Sequence, residues 1–518
     1  MNRHSLFIRA TLSTLAGFAA ALLFSCEVGP NYQRPSLDVP ATFKSDMPTT
    51  TQAASQPATV PATRISTEWW RLFNDPELTS LEATAIHNNQ NLRAAVARVL
   101  EARAAARITR SQLYPTITSN PSFTRGRSSA NSVRGETAGG APVTVGTAST
   151  ANRNEARTTS DFELPAQLTY EVDVWGRIRR SYEASKAQLQ ASADDFQVVL
   201  QTLEADVAED YFTLRSDDAQ DKILVESVQS YRDQLKLTRT QLNAGLVSTL
   251  DLSQAQALLD STITQEIDIR RQRADTEHAI AVLLGAPPAN MTLRIRPLVE
   301  EPPLIPPGIP MDILRHRPDV AEAEQNLIVA SANVGVATAN FYPVFTLTSS
   351  AGFESFDLQH LLDWESRFWQ FGPNVSIPLF EGGKLTASLE QAKQVFNENL
   401  GTYRQQVLTA FQDVEDALND LHLRAGESRA QDQAVKDSQE YLRLSILQYR
   451  SGLIPQLTVI DANRTLLDNQ LSQATILGDR MISTVQLIKA LGGGWDAQNP
   501  AASQPAVPHY DPVAATRP

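Results

Sequence analysis

Gln234-Leu235-Lys236-Leu237-Thr238-Arg239-Thr240-Gln241-Leu242-Asn243-Ala244-Gly245-Leu246 decides the fold, because the chain writes the same sentence twice. A register shift of 207 residues, Gly245 onto Gly452, lands on Tyr441-Leu442-Arg443-Leu444-Ser445-Ile446-Leu447-Gln448-Tyr449-Arg450-Ser451-Gly452-Leu453. The same shift pairs Leu259 with Leu466, Leu284-Gly285 with Leu491-Gly492, Gly176 with Gly383 and Val207 with Val414. Separately, Leu113-Tyr114-Pro115 resembles Phe341-Tyr342-Pro343. A long unit built twice suits a symmetric scaffold or conduit better than an enzyme with one asymmetric pocket.

Around each glycine the pattern is that of very long helices. No proline or glycine interrupts Arg177 to Asn243, a stretch that spans roughly 100 Å as unbroken helix. Its apolar stripe runs Phe196, Leu200, Leu203, Val207, Tyr211, Leu214. The second copy gives Phe396, Leu400, Tyr403, Val407, Phe411, Val414, Leu418, Leu421, close to a heptad seam with small and polar residues between. Gly245 and Gly452 end their helices, and Leu252 and Val459 begin descending helices that run to Leu284 and Leu491.

Strand character lies between the helices. Asp75-Pro76-Glu77 opens a helix that ends at Tyr114-Pro115, with Asp as cap. Thr116 to Phe123 and Leu164 to Val174 read as strands, with a Gly/Ser/Thr/Ala/Asn loop from Gly126 to Thr159. In the second half, Val344 to Phe353 is one strand, and Phe371, Val375, Ile377 and Leu379 share one side of another. Glu354 to Arg367 forms the loop between them. Four strands close no barrel alone, but three chains together could.

The ends set the compartment. Arg3 and Arg9 precede an apolar stretch from Leu12 to Phe24, a secretory signal and not a membrane span. Cys26 is the sole cysteine, which excludes a disulfide within the chain, and its place at the end of that apolar stretch marks a lipid attachment point. Beyond Phe24 no run of eighteen apolar residues occurs. The organisation expected is a signal at 1–25, a lipidated tether at 26–66, a first structural repeat at 67–285 and a Pro-rich linker at 286–310. A second repeat at 311–494 and a disordered tail at 495–518 complete it.

Chemistry is sparse. The net charge of −13, with no gathered basic face, argues against nucleic acid. Seven scattered histidines show no metal-ligand spacing, and phosphate loops, nucleophile elbows and dinucleotide glycine runs are missing. No cofactor, metal or catalytic residue is expected. The acidic pairs Asp194-Asp195 and Asp217-Asp218 read as solvated helix face.

The glycine turns, Tyr170-Glu171-Val172-Asp173-Val174-Trp175-Gly176-Arg177, Ile313-Leu314-Arg315-His316-Arg317-Pro318-Asp319-Val320, and Trp69-Trp70 with Phe73 and Pro76-Glu77-Leu78 together resemble the TolC-like family of outer-membrane efflux lipoproteins. The resemblance covers nearly everything from Tyr32 to Gly494. It implies a mainly α fold with a transmembrane β part: a homotrimer whose twelve strands close a β-barrel, continued by a long periplasmic α-helical barrel with an internal two-fold repeat. It implies the outer membrane as location, a lipid anchor at Cys26, and a periplasmic adaptor (membrane fusion) protein and an inner-membrane pump as partners. Pro115, Gly176, Pro343, Gly382 and Gly383 match its strand–helix junctions. Gly245-Leu246 and Gly452-Leu453 match its periplasmic tip turns, which contact the adaptor. Asp461 matches an acidic position lining the closed tip. Thr458 stands where some relatives carry a second Asp, and Asp251 could supply that charge from the first half. The reading is a passive exit duct for small molecules; the rival is a lipid-anchored coiled-coil structural protein without a channel.

Overall fold

The computed structural model describes residues 27–36, 44, 66–127, 158–303, 305 and 316–495. The signal, Cys26, most of the tether and loop, part of the linker and the tail beyond Trp495 lie outside these. The chain forms two compact units, and each draws on both sequence halves. Among the described residues the first comprises 27–32, 104–127, 158–186 and 329–396; the rest form the second.

The first unit is built on one antiparallel sheet of β1 (Thr116–Thr118), β2 (Ser122–Arg127), β3 (Thr158–Val172), β4 (Val344–Ser355) and β5 (Arg367–Ser376). Both β1 and β2 pair with the same flank of β3, so they occupy one strand position, interrupted before Pro121. Strand β3 pairs with β4 from Val172↔Phe345 to Phe162↔Ser355, joining the two halves. Strand β4 pairs with β5 from Val344↔Ser376 to Phe353↔Arg367. Pro165 lies inside β3, where it has no N–H to give, and it faces Gly352. A Cβ on Gly352 would drive into the Leu164 carbonyl, so the crossing needs glycine there. Strand β5 stops at Ser376, so Ile377 and Leu379 fall beyond it, against the expectation that they continue its face. Pro378, two residues past the strand's end, has no N–H to extend the ladder that alternation alone suggests.

The same unit holds a segment close behind Cys26. Arg180 is almost wholly buried, pairs with Glu27 and Glu183 and donates to Asn31 Oδ1 at 2.6 Å. Gly29, at φ +98°, passes so near Gly335 that a Cβ would lie 2.7 Å from the Gly335 Cα. Residues 27–32 are therefore folded against the body and not free chain.

In the second unit a 3-10 turn at Trp69–Phe73 precedes α1 (Pro76–Asn88), and Asp75 caps α1 by accepting from Glu77 N and Leu78 N, as the sequence indicates. The single helix expected as far as Tyr114 is instead broken at Asn89. Its Oδ1 accepts from Leu92 N, recapping α2 (Gln90–Ser111), and its Nδ2 donates to the Leu283 carbonyl. An asparagine that caps and bridges replaces a helical turn. The long helices are α3 (Arg177–Asn243), α4 (Thr249–Leu283), α5 (Pro318–Ala339), α6 (Lys384–Arg450) and α7 (Gln456–Ala490). Helices α3 and α6 have 67 residues each, and α4 and α7 have 35 each. The α3 stripe is buried throughout from Phe196 to Leu214. On α6 Tyr403, Val407 and Val414 are buried, while Phe396 and Leu400 are only half-buried.

The main core gathers Trp69, Leu78, Leu81, Tyr211, Phe212, Ile280 and Met481. A second cluster, Leu224, Val228, Tyr231, Leu259 and Leu467, ties α3, α4 and α7. Charges enter the interior beside them. Asp194, Asp217 and Asp218 are buried, which overturns their reading as solvated face. Burial pushes the Asp194 carboxyl up to about 7 and that of Asp217 to about 6. Asp218 receives Arg215 at 2.9 Å and Arg273 at 2.6 Å, plus Arg296 N at 2.8 Å. Arg273 also binds Glu277 and the Leu293 carbonyl. This cluster holds the segment after α4 against α3; helical spacing pairs Arg215 with Asp218 and Arg273 with Glu277, but the bonds that join the elements, from Arg273 and Arg296 to Asp218, span 55 and 78 residues.

Removing the anion takes from two interior guanidinium groups the carboxylate they share, leaving Arg215 only its pair with Glu77 and Arg273 its pair with Glu277. Asp218→Ala is expected to lower unfolding free energy by about 3–5 kcal/mol, while Asp195→Ala, whose pair with Arg98 is partly exposed, changes it by about 1 kcal/mol or less. Denaturant midpoints of the two variants check this; equal midpoints would contradict it.

Candidate gate and docking turns

Each tip turn is made by a helix ending on a left-handed glycine. Leu246 N donates to Gln241 O and Gly245 N to Leu242 O, both at 2.9 Å. Leu453 N to Gln448 O and Gly452 N to Tyr449 O repeat those bonds at 2.9 Å, and both glycines sit at φ +73°. Paired bonds of this kind satisfy the last carbonyls of the helix, and an L-residue there would be strained. Leu246 and Leu453, next along, are 74% and 75% exposed, so both turns present an apolar side chain at the surface.

The descending helices begin one turn earlier than the sequence reading, at Thr249 and Gln456, and here the copies part company. In the first, Ser248 and Asp251 form a capping box. Asp251 Oδ2 accepts from Ser248 N at 2.8 Å and Ser248 Oγ at 2.7 Å, and Asp251 N donates back to Ser248 Oγ at 3.3 Å. The Ser248 hydroxyl and amide hold the Asp251 carboxyl below the usual carboxylate range. In the second copy Pro455 and Thr458 occupy the corresponding positions, and no side chain caps the helix. Asp461 is exposed on the second turn of α7. Thr458 is half-buried, its N–H bonded to the Pro455 carbonyl.

Polar side chains join the two copies near these turns. Gln456 Nε2 donates to Thr238 Oγ1 at 2.8 Å in a buried position, Tyr449 OH to Gln241 Oε1 at 3.3 Å, and Asn463 Nδ2 to Gln234 Oε1 at 3.3 Å. Sequence reasoning missed these residues. The available signal was Gln234, Thr238 and Gln241, spaced four and three apart, where the apolar seam turns polar. An open cleft of about 420 Å³ lies here, lined by Gly245, Leu246, Ser248, Asp251, Tyr449 and Gln456. The first turn's expected residues thus meet the second copy's flanks, while Gly452, Leu453, Thr458 and Asp461 lie outside the cleft.

The junction residues sit in the other unit. Gly176, at φ +82°, is where α3 leaves the sheet, and a Cβ there would press on Glu27. Asp173 accepts from Ile178 N and Arg179 N, capping α3. Trp175 Nε1 donates to the Pro343 carbonyl at 2.8 Å and the indole stacks on Tyr342 at 4.7 Å, so Gly176 and Pro343 are brought together. Pro115 follows α2 directly before β1. Gly382 and Gly383 take φ +58° and +86° just before α6. Cys26 lies outside the described residues.

The sequence model of the family described as Outer membrane efflux protein matches residues 82–286 and 309–493. The chain belongs to that family. It is 32% identical over 492 residues to the "Probable efflux pump outer membrane protein TtgC" of Pseudomonas putida, covering 94% of this chain and 96% of that one. It is 30% identical over 485 residues to the "Cation efflux system protein CusC" of Escherichia coli, covering 93% and 98%. The solved outer-membrane channel OprN superposes with a TM-score of 0.80 at 28% identity, covering 91% of this chain and all of that one. The protein is an outer-membrane channel component of tripartite efflux systems, not an enzyme. The rival reading, a coiled-coil protein without a channel, falls with that membership.

Loss of the Ser248–Asp251 box costs about 1 kcal/mol of local helix stability. Asp251→Ala is expected to speed amide exchange in the first turn of α4 roughly fivefold, with Thr458→Ala leaving α7 unchanged; equal exchange in Asp251→Ala and wild type would contradict it. Because the folded carboxyl is held low, the cap's contribution stands above the ordinary aspartate range and fades as pH falls below it.

Proposed function

We propose that three copies of this chain close a twelve-stranded barrel in the outer membrane, that their helices continue as a periplasmic tunnel with the two-fold repeat read in the sequence, and that the tip turns gate it. One observation carries the reading. The sheet ends in two edges, β1/β2 on one side and β5 on the other, while Trp369 and Phe371 on β5 are 79% and 61% exposed. Open edges and apolar side chains together suit strands that finish their pairing with another copy inside lipid. Four strand positions in each of three chains give the closed barrel.

The equal lengths of α3 and α6, and of α4 and α7, together with the family match falling once in each half, support the duplicated wall. The division into signal 1–25, tether from Cys26, repeats 67–285 and 311–494, linker 286–310 and tail from 495 fits that wall. Cys26 carries the lipid anchor, and the residues directly after it are folded. An adaptor meets the exposed Leu246 and Leu453 beside Gly245 and Gly452, and a pump in the inner membrane supplies energy and choice of cargo. TtgC is named for an efflux pump and CusC for cation efflux; the cargo of this chain is small molecules.

At the tip, three-fold symmetry sets three Asp461 carboxylates around one axis, where repulsion opposes a narrow closed state and favours cations. Asp251 adds charge already committed to its cap, and Thr458 adds none. In planar bilayers the wild-type protein is expected to carry a gated, cation-preferring current, and Asp461→Ala to reduce that preference. Absence of current would overturn the duct, and unchanged selectivity in Asp461→Ala would overturn the assigned gate.

A further inference from the structure

Beyond the duct itself, the helical unit buries two carboxyl groups in one apolar core without a cation. Glu82 on α1 is 0% exposed, and neither of its oxygens has a hydrogen-bond partner. Glu204 on α3 is 6% exposed and accepts from the Trp69 indole N–H at 3.3 Å. Around them lie Trp69, Leu78, Leu81, Ala85, Leu203 and Val207, an apolar core. The groups facing the pair from the packed elements are few. Glu204 on α3 is the charge acting on Glu82, and the Trp69 indole is the polar group acting on Glu204. Among the described residues no Lys, Arg or His forms an ion pair with either one, in contrast to Asp218, which two guanidinium groups hold.

A lone carboxylate in such a core is costly, and two are more so. A carboxylic acid there can instead donate its O–H to the other carboxyl, which gives an oxygen of Glu82 the partner it otherwise lacks. We propose that Glu82 and Glu204 form a proton-holding carboxyl pair, a pH-responsive latch that fastens α1 to α3 when protonated and loosens it when both protons are lost. The two groups titrate as one coupled unit. Burial pushes the Glu204 carboxyl up to about 8, and burial together with Glu204 pushes Glu82 well above the ordinary range. The sign follows from those directions. Both folded-state values lie above the unfolded ones, so the cost of keeping the pair folded is nil below the ordinary glutamate range. It grows as pH rises and is complete above the folded values.

The test uses the full-length protein in detergent, labelled with carboxyl-¹³C glutamate so that the glutamic acid carbonyl band is shifted away from that of the buried aspartic acids. Infrared difference spectra should show a protonated glutamic acid carbonyl at pH 7 that disappears as pH is raised above about 8. Glu82→Gln and Glu204→Gln should each remove or shift that band, and should flatten the fall of the melting midpoint between pH 5 and 9. A wild-type spectrum with every glutamate ionised at pH 7 would overturn the latch even if neither variant folds. A protonated band untouched by both variants would overturn it as well, by assigning the proton to another glutamate.

Discussion

Inside a bilayer no water is present to satisfy a backbone N–H or C=O, so a strand that spans it must pair on both sides. This chain supplies four strand positions and two open flanks. Most else in the account depends on how those flanks are closed. The sheet is antiparallel, stitched from both halves through the long strands β3 and β4, and the most exposed large apolar side chains of β5 are aromatic. In a single soluble domain that combination would be an aggregation liability. In the shared barrel proposed above it becomes the lipid face and the join.

The helical part obeys a different logic. Two copies of one skeleton share glycine-ended helices of the same length and the same tip hydrogen bonds, yet their chemistry has diverged. Ser248 and Asp251 cap one descending helix, while Pro455 and Thr458 stand in the other. The exposed Asp461 belongs to the second copy alone, with Gln254 at the matching place. Divergence of this kind gives helices of equal length unequal charge near their turns. Between the copies, Thr238, Gln241 and Gln234 bond to Gln456, Tyr449 and Asn463, a polar link whose bonds can exchange with water more readily than a packed apolar seam.

Much of this was legible in the residues. Periodicity marked the α3 stripe from Phe196 to Leu214 as core, the glycines marked the turns, and Asp75-Pro76 marked a helix start. Local rules reach that far because each of these features is settled within a few residues. Three things escaped. Asn89 breaks a helix because its side chain reaches Leu283, nearly two hundred residues away. Asp194, Asp217 and Asp218 read as solvated because paired acids usually are, and only the fold brings Arg273 and the Arg296 N–H onto Asp218. Ile377 and Leu379 keep the strand's alternation but lie past its last paired residue. The roles proposed for Asp461, Asp251 and the exposed leucines come from resemblance joined to position, and the geometry adds the cap that Asp251 makes and the exposure of the others.

Strand pairing between copies is the claim to test most directly. A cysteine at Phe371 on β5, combined in turn with one at each position of β1 and β2 in a chain whose Cys26 is acylated, reports which edges meet. Oxidation should yield covalent dimers and trimers on denaturing gels, strongest at alternate positions along β1 and β2, because side chains on a strand alternate in direction. Monomers throughout, or disulfides closed only within one chain, would contradict the shared barrel.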